Sequence, residues 1–295
     1  MLSSFKILAG IAALLVAGAS AHDGVTQLYE AVSPASYLDG EPAGKVVKIA
    51  GVDTYVALPS KAKSKKGSKT AVLYLSDIYG LPLVNNKLLA DRFAEQGYPT
   101  FLIDYFNGDP VPVNATGFNT TEWFTRHGED QTTPPLLAVV DELKKWGVKK
   151  FAATGYCFGG LYAIRLAQNN TVAVSVTAHP SRLSVPADFL LLQEQGTTPL
   201  EIHSASLDTG FTPALAAIAD GVMNGTAPET AEQGPYEAGY VRYEHVGVAM
   251  VRTTCRRTDQ DLTLTCLHPA QSDPLQLAEL DAAFEATVQT ISKYL

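Results

Sequence analysis

The sequence has 295 residues, the length of one large α/β domain, so a single domain with an ample core is expected. Its formal net charge is −8 and only 18% of its residues are charged. This composition leaves no broad basic surface for a phosphate backbone, which excludes nucleic acid as an expected partner.

The first residues have the pattern of a secretory signal peptide. Lys6 precedes an apolar run over residues 7–17, and Ala19-Ser20-Ala21 supplies the small residues of a cleavage site. The alternative is an uncleaved membrane anchor, but a spanning helix needs about 20 apolar residues and this run is shorter. We expect residues 1–21 to be removed, leaving residues 22–295 as one secreted domain with no membrane contact.

Four Asn-x-Ser/Thr sequons agree with a secretory route. They begin at Asn114, Asn119, Asn169 and Asn224. A single sequon is common by chance, but four behind a signal peptide predict a glycoprotein with these asparagines on its surface.

Apolar runs and amphipathic stretches alternate along the chain. Two short strands, 45–49 and 54–58, are followed by predicted strands at 71–75, 100–105, 151–155, 172–178, 200–205 and 240–245. Predicted helices cover 85–96, a segment starting at Pro135, 159–168, 186–195, 213–223 and 273–294. The long segment from Asn107 to Pro135 is predicted to be an irregular binding loop over the site. This alternation predicts an α/β fold with a mostly parallel sheet covered by helices on both faces.

Gly155-Tyr156-Cys157-Phe158-Gly159 has the spacing of a nucleophile elbow, with a sulfur in place of the usual hydroxyl. It lies where a predicted strand meets a predicted helix. The glycines allow a strained turn and close chain approach, and the helix N-terminus favours a thiolate. The alternative is a buried structural cysteine. We therefore take Cys157 as the candidate nucleophile.

The other cysteines support this assignment. Cys255 and Cys266 flank a short polar segment and are expected to form a disulfide in an oxidising compartment. Cys157 is then left over, and an odd cysteine in a secreted protein is either an intermolecular bridge or a reactive thiol.

The sequence resembles the dienelactone hydrolase family over roughly the whole mature chain. The resemblance is carried by segments 76–80, 86–94, 104–109 and 155–160, and most specifically by the cysteine at the elbow. It implies the α/β-hydrolase fold and a Cys-His-Asp triad that cleaves activated esters or lactones without metal or cofactor. A secreted fungal-type member is expected.

The resemblance also assigns roles to individual residues. Asp208 directly follows the predicted strand 200–205 and corresponds to the acid, while His245 is the leading base and His268 the alternative. An acid is needed to hold the histidine tautomer.

The predicted oxyanion hole includes the main-chain N–H of Phe158, the residue after the nucleophile, and the resemblance implies that Ile78 supplies the second N–H. The resemblance also implies that Asp77, Tyr79 and Arg252 bind the substrate.

These features predict a secreted, monomeric hydrolase acting on a small ester or lactone through an acyl-thioester. Two alternatives stay open: a thioesterase or acyltransferase with the same triad, and an inactive binding protein with the same fold. A thiol redox protein is disfavoured because the sequence has no Cys-x-x-Cys pair.

Overall fold

The computed structural model describes residues 41–64, 69–113, 117–245, 255–256, 265–266 and 274–295, and for 255–256, 265–266 and 274–280 it describes the backbone alone. The signal peptide predicted at residues 1–21 lies outside this part of the chain. Within the described part, no helix combines the length and apolar character required to span a membrane.

A sheet of eight strands forms the centre of the domain. Its strands are β1 (Lys45–Ile49), β2 (Val52–Ala57), β3 (Thr70–Leu75), β4 (Thr100–Ile103), β5 (Lys150–Tyr156), β6 (Val174–Ala178), β7 (Leu200–Ala205) and β8 (Tyr240–His245). They lie in the order β1-β2-β4-β3-β5-β6-β7-β8, and every neighbouring pair from β4 to β8 is parallel. Parallel strands end at the same edge, so the loops after β3, β5, β6 and β7 meet there.

Seven described helices accompany the sheet. They are α1 (Val84–Glu95), α2 (Thr120–Arg126), α3 (Glu129–Lys145), α4 (Phe158–Gln168), α5 (Ala187–Gln195), α6 (Pro213–Met223) and α7 (Pro274–Tyr294). A separate two-stranded ladder pairs β9 (Cys255–Arg256) with β10 (Thr265–Cys266).

The sheet is buried on both faces. Leu73 and Leu75 of β3 pack with residues of α3 and α4, whereas Val72 and Tyr74 pack on the other face with Phe93 of α1. A third cluster joins α4, α5 and α6 to β7. Alternate residues of one strand thus enter opposite cores, as the apolar runs of a buried parallel strand require. The predicted α/β-hydrolase architecture is confirmed.

Most predicted element ends differ from the structure by one or two residues. The connection from Asn107 to Pro135 is the exception, because much of it is helical rather than irregular. Helix α3 begins at Glu129 and contains both Pro134 and Pro135. Proline lacks the N–H that would bond four residues back, so the carbonyl of Gln131 has no helical donor at Pro135. The Asn107 side chain donates to that carbonyl at 3.4 Å.

Candidate active site

Cys157 lies in a tight turn between β5 and α4. Its backbone has φ 52° and ψ −112°, an uncommon conformation for a residue with a side chain. The turn needs glycine on both sides. A Cβ at Gly155 would lie 2.3 Å from the Gly159 carbonyl oxygen, and one at Gly159 would lie 2.0 Å from the Leu75 carbonyl oxygen. The close packing holds the start of α4 against the end of β3, so the expected elbow geometry is present.

Main-chain hydrogen bonds fix the elbow to the segment after β6. The Cys157 N–H donates to the Ala178 carbonyl at 3.2 Å, and the Ser181 N–H donates to the Cys157 carbonyl at 3.0 Å. The Ser181 hydroxyl oxygen is 3.5 Å from Cys157 Sγ. Cys157 is a free thiol and is partly exposed. The sulfur therefore has a fixed position at the carboxyl edge of the sheet.

Opposing effects act on the pKa of the Cys157 thiol. Burial raises its pKa most strongly, and the hydrogen bond with Ser181 lowers it. The negative charges of Asp77 and Asp208 raise the pKa, and the main-chain N–H of Phe158 lowers it. The net pKa lies above the ordinary value. A site that uses this sulfur as a nucleophile must therefore transfer its proton to a nearby base.

The loop after β3 brings the predicted substrate-binding residues next to the elbow. Asp77 is buried, and its Oδ1 accepts hydrogen bonds from the Tyr79 N–H and from Asn86 Nδ2, both at 3.1 Å. Tyr79 and Asp77 both interact electrostatically with the Cys157 sulfur. Ile78 lies between them, and its carbonyl accepts from the Val111 N–H at 2.8 Å. The structure thus brings Asp77, Ile78, Tyr79 and Phe158 together around Cys157.

Aromatic side chains pack around Phe158, the residue that follows Cys157. Phe158 stacks on Tyr162, with ring centroids 5.2 Å apart, and on Phe124 of α2 at 6.2 Å. Phe124 is only partly buried, and Arg182 lies 4.0 Å above its ring. Helix α2 therefore supplies an apolar surface with a cation beside it, close to the nucleophile.

Asp208 follows β7 and faces the same edge of the sheet. Its Oδ1 accepts from the N–H groups of Gly210, at 2.7 Å, and Phe211, at 3.2 Å. Its Oδ2 is buried, and the described residues provide it with no hydrogen-bond partner. The carboxylate interacts electrostatically with His179, whose Nε2 is also buried and without a partner among the described residues.

The His245 ring takes part in a buried chain of polar side chains on the sheet face covered by α7. Its Nε2 is 3.0 Å from Nδ1 of His203, and Nε2 of His203 is 2.8 Å from the Glu201 carboxylate. A carboxylate accepts, so His203 donates to Glu201 through Nε2 and, when neutral, accepts from His245 through Nδ1. In that state the proton of His245 lies on Nε2.

The His179 backbone has φ 40°, and its N–H donates to the His203 carbonyl at 2.8 Å. Burial lowers the pKa of its imidazole to about 4, while Asp208 opposes the shift. A strained, buried histidine beside a carboxylate is a feature of functional sites. His179 thus joins Cys157, Asp77 and Asp208 at this edge as a neutral imidazole.

Several predicted residues fall outside the described part of the chain. These are Asn114, Arg252 and His268, and the side chains of Cys255 and Cys266 are also not described. The three described sequon asparagines, Asn119, Asn169 and Asn224, are exposed. Among the described residues, no group of three or more His, Cys, Asp or Glu side chains could hold a metal ion.

Sequence reasoning missed Ser181 and the Glu201–His203 pair. The signal for Ser181 was its place just after β6, the strand beside the nucleophile strand. Glu201 and His203 are two residues apart in β7, so their side chains lie on the same face of the sheet. Their contact with His245 depends on the pairing of β7 with β8, in which His203 lies opposite Tyr243 and Ala205 lies opposite His245.

The family model described as "Dienelactone hydrolase family" matches residues 52–227. Among curated proteins, the chain is 35% identical over 177 residues to "Hydrolase pyvD" of Aspergillus violaceofuscus, covering 59% of this chain and 69% of that protein. It is 30% identical over 226 residues to "Hydrolase tropI" of Talaromyces stipitatus, covering 69% and 85%. "Dienlactone hydrolase 1" of Gibberella moniliformis is 32% identical, covering 55% of this chain and 70% of that protein.

Solved structures share the fold. The dienelactone hydrolase-like promiscuous phosphotriesterase P91 from metagenomic libraries has a TM-score of 0.60 at 16% identity, covering 85% of this chain and 97% of that one. At this identity the likeness concerns the fold alone.

Proposed function

This chain belongs to the dienelactone hydrolase family, and we propose that it cleaves activated esters or lactones through the Cys157 thiolate and an acyl-thioester intermediate. It is a hydrolase of the ester- and lactone-cleaving type, and its substrates are small molecules. The observation that carries the proposed mechanism is the free Cys157 thiol in the strained elbow, with the Phe158 N–H facing its sulfur.

In the first step, the Cys157 proton passes to a histidine and the sulfur attacks the substrate carbonyl carbon. The N–H groups of Phe158 and Ile78 stabilise the negative oxygen of the tetrahedral intermediate. The carbon–oxygen bond to the leaving group then breaks, and the histidine returns the proton to that oxygen. The histidine next takes a proton from a water molecule, whose oxygen attacks the thioester carbon. The carbon–sulfur bond then breaks, the acid is released, and the histidine returns its proton to the Cys157 sulfur.

Three histidines are candidates for the base of the site. His245 is the base predicted from chain order, with Asp208 as the acid, and its Nε2 lies 3.0 Å from Nδ1 of His203. His179 is the candidate favoured by a specific observation, since it interacts electrostatically with Asp208 and its buried Nε2 has no hydrogen-bond partner among the described residues. His268, outside the described residues, is the third histidine to compare.

The decisive experiment follows hydrolysis of p-nitrophenyl acetate and of a simple lactone by the wild type, Cys157→Ala and Cys157→Ser. Cys157→Ala is expected to lower kcat/KM by more than about 1000-fold, as removing a nucleophile does. Intact-protein mass spectrometry of the rapidly quenched wild type should detect one acetyl group, located on Cys157 by peptide mapping. Retained activity in folded Cys157→Ala would falsify the nucleophile assignment.

The same assay identifies which histidine is the base and distinguishes a lactone hydrolase from a thioesterase. Replacing the true base by glutamine is expected to lower kcat/KM about 100-fold or more, so His179→Gln, His245→Gln and His268→Gln are measured together. Faster turnover of a thioester than of the lactone would identify a thioesterase.

A second candidate function is a binding protein with this fold. It is favoured by Asp208 Oδ2, because within the described part of the chain no histidine or other group forms a hydrogen bond with this oxygen. In that case a lactone binds to the wild type without turnover and without acylating Cys157.

Secretion is part of the proposal as well. It is supported by the exposure of the three described sequons and by the ladder in which Cys255 lies opposite Cys266. Expression of the full sequence in a eukaryotic secretory host, followed by N-terminal sequencing, should give a mature chain that starts at His22. Treatment with a glycosidase should lower its mass, and non-reducing peptide mapping should recover Cys255 linked to Cys266. An intracellular product with an intact N-terminus contradicts secretion.

A further inference from the structure

We propose that Ser181 is a further catalytic residue, whose hydroxyl contacts the reacting sulfur of Cys157 and donates a hydrogen bond to it once it is a thiolate. This inference depends on the proposed function, in which Cys157 is the nucleophile. Ser181 belongs to the segment after β6, one strand away from the nucleophile strand β5, and it was not among the residues that the sequence pointed to.

The contact is held by main-chain bonds that do not involve the serine side chain. The Ser181 N–H donates to the Cys157 carbonyl at 3.0 Å, while the Cys157 N–H donates to the Ala178 carbonyl at 3.2 Å. The hydroxyl oxygen then lies 3.5 Å from Sγ, within hydrogen-bond distance for sulfur. Because these bonds fix the two backbone segments relative to each other, the hydroxyl is already positioned next to the sulfur and no loop has to rearrange.

A hydroxyl suits both protonation states of the nucleophile. In the thiol state the sulfur proton is donated to Ser181 Oγ, which has free lone pairs. When that proton passes to the histidine, the hydroxyl rotates and donates its own proton to the negative sulfur. No proton leaves Ser181 in this exchange, so the residue stabilises the thiolate as a neutral donor. Hydrogen bonds to a charged partner are stronger than neutral ones.

The surroundings explain why such a donor is needed. The carboxylates of Asp77 and Asp208 and the phenols of Tyr79 and Tyr105 interact with the sulfur from the neighbouring loops. None of these groups carries a positive charge. The Phe158 N–H is the other donor described near Sγ, and the proposed mechanism assigns it to the substrate oxygen. During attack and during departure of the sulfur, Ser181 is then the donor that remains on the sulfur.

The test measures the ionisation of Cys157 directly. Alkylation of Cys157 by iodoacetamide is followed by peptide mapping between pH 5 and 10 in the wild type and Ser181→Ala. Loss of one hydrogen bond to a charged group is expected to raise the apparent pKa of Cys157 by about one unit and to slow alkylation at pH 7 about tenfold. The acidic limb of the kcat/KM profile should shift upward equally. Ser184→Ala, an exposed serine in the same loop, is the matched control and should leave both profiles unchanged.

A purely structural role for Ser181 is separated by an isosteric pair. Ser181→Thr keeps the hydroxyl and should retain the wild-type pKa, whereas Ser181→Val lacks it and should show the raised pKa. An unchanged Cys157 pKa in Ser181→Val, or in Ser181→Ala, overturns the proposal. This result can be told apart from failure of the proposed function. Alkylation measures the pKa of the Cys157 sulfur, whereas the nucleophile assignment fails only if Cys157→Ala retains hydrolysis.

Discussion

Gly159 packs its α-carbon directly against the Leu75 carbonyl, so that a Cβ at position 159 would lie 2.0 Å from that oxygen. The neighbouring atoms are backbone and cannot rotate away. Gly159→Ala must therefore separate α4 from the end of β3, and we expect it to lower the free energy of unfolding by more than about 2 kcal/mol.

Urea denaturation measures this cost, and Gly221→Ala is the matched control. Gly221 lies within α6, where an added Cβ would meet Ala227 Cβ at an ordinary van der Waals distance of 3.6 Å. Alanine is the better helix former by about 1 kcal/mol, so this variant should be slightly more stable than the wild type. Equal effects of the two substitutions would contradict the close contact described for Gly159.

Asp77→Asn is expected to lower the pKa of Cys157. The substitution removes a negative charge that disfavours the thiolate, and the remaining amide oxygen can still accept from the Tyr79 N–H and Asn86 Nδ2. Iodoacetamide should therefore modify Cys157 faster at pH 7, opposite to the effect of Ser181→Ala. Asp141→Asn, on the exposed side of α3, is the control and should not change the rate. A slower reaction in Asp77→Asn would show that Asp77 does not act through its charge.

Burial of His179 should make stability depend on pH. Its pKa is about 4 in the folded chain and 6.5 in an exposed reference, so below pH 6.5 the unfolded chain binds a proton that the folded chain does not. The contribution is fully present above pH 6.5 and is lost progressively as the pH falls toward 4. Its size is up to about 3 kcal/mol.

The comparison of the wild type with His179→Gln isolates this effect, since other titrating groups contribute to both proteins. The free energy of unfolding of the wild type should fall more steeply between pH 6.5 and 4 than that of the variant. Parallel curves would mean that His179 is protonated equally in the folded and unfolded chains.

Glu201→Ala should be strongly destabilising. The Glu201 side chain is buried, accepts from His203 Nε2 at 2.8 Å and accepts from the Thr290 hydroxyl of α7 at 2.5 Å. Its removal leaves a buried donor without its carboxylate, at a cost of about 3 kcal/mol. Glu194→Ala, an exposed position on α5, should change stability by less than about 0.5 kcal/mol in the same urea titration. A similarly small effect at Glu201 would contradict the buried chain that holds His245.

The elements of the sheet were predictable because β-branched and aromatic runs mark its strands, and Gly155 and Gly159 mark the elbow. Pro135 predicts a helix that begins too late, because proline is typical of a first helical residue. The structure has Pro135 in the second turn of α3, where Asn107 bonds the Gln131 carbonyl that this proline leaves without a helical donor. The orientation of the His245 ring depends on Glu201 and His203, which lie about forty residues earlier in the chain. Local sequence patterns contain no information about such a contact.

The elbow position is defined by backbone bonds to Ala178 and Ser181, not by the chemistry of residue 157. The side chain can therefore be exchanged for another of similar size while the turn, the helix start and the Phe158 N–H stay where they are. One base change in a codon converts cysteine to serine at this place. The nucleophilic atom can therefore change in evolution from sulfur to oxygen while the fold that positions it stays the same.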